Sequence, residues 1–148
     1  MRIMVLCVGN ICRSPYAAAL LQRNLLGIEV FSAGLQAVID HPADALVLEL
    51  AAEQGIDLSA HRGKQLLAQD LIEASVVLVI SEAQQRDVVS RFPFARGRVF
   101  RLGEWIKQDI ADPYRQSREF HIAVQQLIQQ GVESWLPRLA LINPQRAK

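Results

Sequence analysis

Only two cysteines occur in the 148 residues of this chain, Cys7 and Cys12, and they lie five positions apart. So small a number excludes a disulfide scaffold and a four-ligand zinc site, and in a reducing compartment both are thiols. Charge of one sign is equally scarce: 16 Lys and Arg against 15 Asp and Glu leave a formal net charge of +1. No global field therefore draws the chain to nucleic acid or to an anionic membrane surface, and any attraction for an acidic ligand has to be local. No apolar run approaches the ~20 residues of a membrane span, which excludes helical membrane insertion, and no signal-peptide pattern opens the chain. The expected compartment is the cytoplasm. Repeats, low-complexity runs and linkers are also missing, so residues 1–148 read as a single domain, long enough to bury a core.

What the chain does have lies near its start, in Cys7-Val8-Gly9-Asn10-Ile11-Cys12-Arg13-Ser14-Pro15. The apolar run Ile3–Leu6 predicts a strand before it, and Ala17–Leu26 predicts a helix after it, so the nine residues form a tight loop at a strand end and helix start. A helix N-terminus leaves amides unpaired and carries partial positive charge. Gly9 and Asn10 tolerate left-handed backbone angles, and a loop bent that way turns successive N–H groups of Val8 to Ser14 inward as an anion nest. Arg13 adds a planar, permanently charged fork that fits two phosphate oxygens at once. Inside this positive concavity the Cys7 thiol is expected to ionise below the usual value of about 8.5. A thiolate and a phosphoryl group sharing one anion site imply attack on phosphorus and a covalent thiophosphate. Ser14 has two roles open to it: capping the helix with Pro15 at the first helical position, or donating to the Cys7 thiolate as it leaves. Cys12 either traps an oxidised Cys7 as a reversible disulfide or fills the loop as a small apolar group.

Further along, strands are expected at Ile28–Phe31, Ser75–Ser81 and Arg98–Leu102, and helices at Ala43–Gln54, Lys64–Glu73, Glu82–Arg91 and Ser117–Leu136. The β-branched run in Ser75–Ser81 fits a strand buried on both faces of a parallel sheet. Ser81 and Gln84 form a capping-box pair for the helix that follows. The last helix is expected to bury Phe120, Val124, Leu127, Ile128 and Trp135. Alternating strands and helices specify an α/β layered fold with right-handed crossovers, and in such sheets ligands bind beyond the C-terminal strand ends, where the Cys7 loop lies.

Asp112-Pro113-Tyr114 falls between the last strand and the last helix. Taken alone, Asp112 reads as a solvated turn or cap residue. A thiolate that displaces a phosphate-ester oxygen, however, needs an acid to protonate the leaving group, and the same carboxylate then activates water against the thiophosphate. Asp112 is the best-placed candidate, with Tyr114 lining the mouth and stacking on an aromatic substrate. His61 follows a turn and reads as a structural hydrogen-bonder, while His41 and His121 carry no usable signal.

Val5 to Pro15, together with Asp112-Pro113-Tyr114, resembles the low-molecular-weight protein tyrosine phosphatases. The likeness runs on through Ser32-Ala33-Gly34, Ser59–Gln65, the Ser75–Ser81 strand and the final helix. It implies a four-stranded parallel sheet flanked by helices in three layers, with Cys7 as nucleophile, Arg13 as phosphate ligand, Ser14 assisting thiolate departure and Asp112 as acid and base. It also implies that Asn10 holds the loop through Ser32 and His61, and that no metal or cofactor takes part. Two positions depart from the family pattern: Ala18 stands where a glutamate is usual, and Lys64 where an arginine is usual after His61. Val38 occupies the place of the tryptophan wall of animal members, which is similar to bacterial members associated with exopolysaccharide production. The substrate so implied is a phosphotyrosine protein, an autophosphorylating tyrosine kinase with a tyrosine-rich tail, acted on by a monomer or weak dimer.

Three rival readings meet specific residues. An arsenate reductase needs further cysteines downstream, and none follows Cys12. Phosphoarginine phosphatases of similar fold carry a threonine where this chain has Ile11, whose bulk disfavours a guanidinium-type phosphate. A phosphocysteine carrier or anion-binding module needs no leaving-group acid, which makes Asp112 the discriminating residue.

Overall fold

The most apolar runs of the chain become the middle of a sheet. Ile3, Met4, Val5 and Leu6 are wholly buried, as are Val77, Leu78 and Val79. Strands covered on both faces in this way belong to parallel sheets. The computed structural model describes residues 1–142. Four strands, β1 (Arg2–Cys7), β2 (Glu29–Gly34), β3 (Val76–Val79) and β4 (Val99–Arg101), form one sheet in the order β2-β1-β3-β4, every pair parallel. Five helices connect and follow them: α1 (Arg13–Asn24), α2 (Ala45–Glu53), α3 (Ala68–Glu73), α4 (Glu82–Arg91) and α5 (Arg118–Leu141).

Side chains alternate across β1, so the two faces build separate cores. Ile3 and Val5 pack with Leu21 of α1, Val47 of α2 and Ile128 of α5, while Met4 and Leu6 pack with Leu71 of α3 and Val88 of α4. This is a three-layer α/β fold. Because β2 is added on one side of β1 and β3 on the other, the order reverses at β1, and the loop leaving its C-terminal end opens into the crevice where such sheets bind ligands.

Several boundaries differ from those expected, each for a local reason. The strand expected at Ile28–Phe31 continues to Gly34, because β1 offers partners as far as Cys7, which pairs with Gly34. The helix expected from Lys64 begins only at Ala68. Residues 64–66 instead extend the sheet edge, where Gly34 N donates to Lys64 O at 2.8 Å and Leu66 N to Gly34 O at 2.9 Å. Asp70 then caps α3 by accepting from Leu67 N at 2.9 Å. The helix expected from Ala43 starts at Ala45, after Asp44, whose carboxylate accepts from Leu46 N. Ser81 caps α4 through Gln84 N at 3.1 Å, and the Gln84 carbonyl reaches back to Ile80 N.

Phe120 is corrected from core to surface, since it is 38% exposed. The inward stripe of α5 keeps the expected Val124, Ile128 and Trp135 and adds His121, Gln125, Val132 and Leu139, while Leu127 is half-buried. The helix also runs past Leu136 and takes Pro137 within it.

Candidate active site

Cys7 is the last residue of β1, and α1 starts at Arg13, so only five residues turn the chain through the bend. Asn10 supplies the turn with φ of 59°. That left-handed conformation costs most L-residues energy and suits Asn better than most. Gly9, which could also tolerate it, does not use it: Asn10 alone in the loop has a positive φ. The glycines that sterics require stand behind the loop. A Cβ on Gly34 would lie 2.6 Å from Val8 O, and one on Gly63 would lie 2.0 Å from Val38 O. These two positions let neighbouring backbones close in on the bend.

Asn10 is fully buried, and its amide is saturated. Nδ2 donates to Ser14 Oγ at 2.8 Å and to Ser32 Oγ at 2.9 Å, while Oδ1 accepts from Lys64 N at 2.9 Å, which fixes the amide's orientation. Ser14 Oγ, accepting from Asn10, also lies in hydrogen-bond contact with Cys7 Sγ at 2.9 Å, where its hydroxyl can donate to the sulfur once that is a thiolate. Asn10 N also donates to that sulfur at 3.3 Å. Ser14 thus touches the sulfur and does not occupy the N-cap position. Pro15 is the third residue of α1 rather than the first, and the N-cap position falls to Cys12 without a side-chain cap. His61 Nε2 lies 2.6 Å from Asn10 O, and because a carbonyl only accepts, Nε2 carries the proton. Burial lowers the His61 pKa, so the imidazole is held neutral.

Arg13 is 8% exposed. Nη1 donates to Ile110 O at 2.9 Å, Nη2 lies 4.0 Å from Asp112 Oδ2, and Nε is buried with no partner among the described residues. The loop bearing Asp112 is tied to the sheet by Ile110 N to Ile80 O at 3.0 Å and by Arg101 to Asp109 at 3.0 Å. Asp112 itself is exposed. Its Oδ1 accepts from Tyr114 N at 3.0 Å, a turn that an Asp-Pro sequence favours. Cys7, Arg13, Val38, Asp112 and Tyr114 open onto one cavity of about 240 Å³, with Val8, Gly9, Ile11 and Cys12 on its wall.

Asn10, Ser14, Ser32 and His61 stand behind that wall as its bracing, joined by the hydrogen bonds just described. Gln36, absent from the sequence reading, also lines the cavity. Its backbone N donates to Val8 O at 2.9 Å, a pairing between distant segments that no local pattern signals. Cys12 is a buried thiol pushed up to about 12, by burial first and then by Asp44, Cys7 and Asp112, so it stays protonated. Lys64, in place of the usual arginine, still forms an ion pair with Asp70 at 2.5 Å.

The chain is similar to known proteins in sequence and in fold. The family model described as low molecular weight phosphotyrosine protein phosphatase matches residues 2–145. The chain is 46% identical over 141 residues to the Ralstonia nicotianae protein named "Probable low molecular weight protein-tyrosine-phosphatase EpsP", covering 95% of this chain and 97% of the relative. Among solved structures it is similar to Vibrio vulnificus Wzb in complex with benzylphosphonate, at TM-score 0.89 and 37% identity over 93% of this chain and 97% of that one. It is also similar to YwlE arginine phosphatase from Geobacillus stearothermophilus, at TM-score 0.88 and 33% identity over 95% and 93% of the two chains.

Proposed function

Because this chain belongs to the low molecular weight phosphotyrosine protein phosphatase family and is a protein-tyrosine phosphatase, we propose that Cys7, Arg13 and Asp112 carry its reaction. The observation that supports this most is the convergence of two polar groups on one sulfur. Ser14 Oγ and Asn10 N both converge on Cys7 Sγ at the floor of a cavity that Arg13 and Asp112 also line.

The phosphoryl group of a tyrosine ester lies on the loop amides from Val8 to Ser14, and Arg13 contributes its otherwise unpartnered Nε and its Nη2 to two oxygens. Cys7 Sγ attacks phosphorus, the bond to the tyrosyl oxygen breaks, and Asp112 gives its proton to the departing phenolate oxygen. Asp112, now a carboxylate, takes a proton from water as that water attacks the thiophosphate. The P–S bond breaks, and the electron pair returns to sulfur, where the Ser14 hydroxyl and Asn10 N–H stabilise it. Asn10, Ser32 and His61 hold the loop, and Val38 and Tyr114 flank the aromatic ring of the substrate.

The physiological substrate in this reading is a phosphotyrosine protein, specifically an autophosphorylating tyrosine kinase of exopolysaccharide production, met in the cytoplasm. The enzyme acts as a monomer or weak dimer, residues 1–148 forming one catalytic domain. Among the described residues no helix is long and apolar enough to cross a membrane. Turnover of phosphotyrosyl, phosphoseryl and phosphoarginyl peptides, with the unaltered protein and with Cys7→Ser, tests the reading. The expected result is hydrolysis of phosphotyrosine alone, abolished by the substitution. Preferred hydrolysis of phosphoarginine, the activity in the YwlE relative's name, would overturn it, and Ile11 on the cavity wall is the residue that disfavours this outcome.

A further inference from the structure

A second groove, of about 310 Å³, adjoins the phosphate cavity and shares Val8 and Gln36 with it. Its floor is Leu35, its far wall is Ala83 in the first turn of α4, and Asp87 and Arg91 stand at its outer rim. The inner wall is pinned, since Leu35 N donates to Cys7 O at 3.0 Å and Gln36 N to Val8 O at 2.9 Å. We propose that this groove receives an apolar side chain next to phosphotyrosine in the substrate polypeptide. The inference rests on the phosphotyrosine reading above and adds to it a preference for sequence.

Two observations set the occupant. The first is continuity. A polypeptide whose phosphotyrosine ring stands between Val38 and Tyr114 leaves the cavity across its rim, and an extended chain rises only about 3.3 Å per residue. The adjoining residue therefore meets Val8, which is 40% exposed although its neighbours on both sides are held in the fold. The second is chemistry. Val8, Leu35 and Ala83 are apolar, and the charged groups at the rim neutralise each other through an Arg91–Asp87 contact of 3.3 Å. Of the two amides in the wall, Gln84 accepts from Ile80 N at 3.1 Å through its side-chain oxygen, and Gln36 is exposed at the border shared with the phosphate cavity. Among the described residues no buried polar atom without a partner lines the groove. A charged guest would lose hydration against Val8, Leu35 and Ala83 and find only the solvated Gln36 amide and an Asp87–Arg91 pair already neutralised, whereas an aliphatic or aromatic one gains by burial.

The test uses three phosphotyrosyl peptides, with leucine, glycine or glutamate on both sides of phosphotyrosine, and p-nitrophenyl phosphate as a substrate that reaches only the phosphate cavity. For the unaltered protein, kcat/KM is expected to be about five- to tenfold higher for the leucine peptide than for the other two, the discrimination available to one partly buried apolar side chain. Ala83→Trp, which fills the groove from an exposed helix position, is expected to abolish that preference and leave p-nitrophenyl phosphate kinetics unchanged. Equal rates for the leucine and glycine peptides in the unaltered protein would overturn the proposal without any variant. So would a preference for glutamate, which would assign the groove to Arg91, or an Ala83→Trp enzyme that keeps the leucine preference. If the unaltered protein turns over p-nitrophenyl phosphate but none of the three peptides, the phosphotyrosine reading itself fails, and the groove's occupant with it.

Discussion

The two loops that meet over the cavity are built in opposite ways. The Cys7–Arg13 loop is sunk in the fold: Asn10 and Ser14 are wholly buried, and five hydrogen bonds join Asn10 alone with Cys7, Ser14, Ser32, His61 and Lys64. The Asp112 loop is anchored at Ile110 and then lies open, its carboxylate held by one bond to Tyr114 N and distant from Arg13 at 4.0 Å. The difference follows from what each has to do. Donors aimed at a phosphoryl group and a sulfur work best when they need no rearrangement at the moment of reaction. An acid that serves the leaving group first and water afterwards has to stay reachable from outside.

If this division holds, substitutions in the two loops separate cleanly. The largest effect is expected at Cys7→Ser, with turnover down at least about 10⁴-fold. Phosphate affinity, measured by calorimetry, should stay within about threefold, because amides and Arg13 make the cradle. Joint loss of affinity and rate would mean that the sulfur shapes the cradle rather than only reacting in it. Asp112→Asn comes next, lowering kcat for phosphotyrosyl peptides about 10²- to 10⁴-fold. It should leave the denaturation midpoint within the roughly 0.5 kcal/mol expected of an exposed position. The drop should shrink for aryl phosphates whose leaving group needs no proton, and an equal drop for all substrates would remove the acid role.

Asn10→Ala inverts that pattern, with stability as its main readout. It places a residue poorly suited to φ of 59° in the bend and removes a partner from the buried Ser14 hydroxyl and from the part-buried Ser32 hydroxyl and Lys64 N. Urea denaturation is expected to show a loss of about 3 kcal/mol. A loss no greater than that of Asp112→Asn would erase the distinction between the loops.

The smallest effect is a pH dependence at His61. Burial sets its folded pKa below the unfolded value of about 6.5. Between the two values the unfolded chain holds the proton and the folded chain does not, so unfolding free energy rises with pH there. The contribution is complete above about 6.5 and is lost as pH falls through the folded pKa. Denaturation curves at falling pH should therefore decline less steeply for His61→Gln, which keeps a donor for Asn10 O but no titrating group.

Most of the architecture was legible because the relevant signals are local: β-branched runs for β1 and β3, and Ser81 with Gln84 for the start of α4. Where expectation and structure part, a distant partner decided. Gly34 drew Lys64–Leu66 into an extended edge, and α1 and the sheet set which stripe of α5 turned inward, leaving Phe120 outside. At the site, Cys7, Arg13 and Asp112 could be singled out by residue type and spacing, because the chemistry demands a thiolate, a guanidinium and an acid. Gln36 could not, since its place on the cavity wall depends on a backbone pairing with Val8 across the sheet. The Asn10 contacts with Ser32 and His61 are expected from the family resemblance, but its bond to Lys64 N is not, since that partner comes from a distant backbone segment.

The central claim is that the sulfur of Cys7 takes the phosphoryl group and later releases it. Acid quenching of the Asp112→Asn protein during turnover of a phosphotyrosyl peptide, followed by peptide mass mapping, tests it directly. The expected result is one acid-stable, alkali-sensitive phosphoryl group on the peptide that contains Cys7, absent when Cys7→Ser is added. Phosphate on any other residue, or none on the protein while product is still being formed, would contradict it.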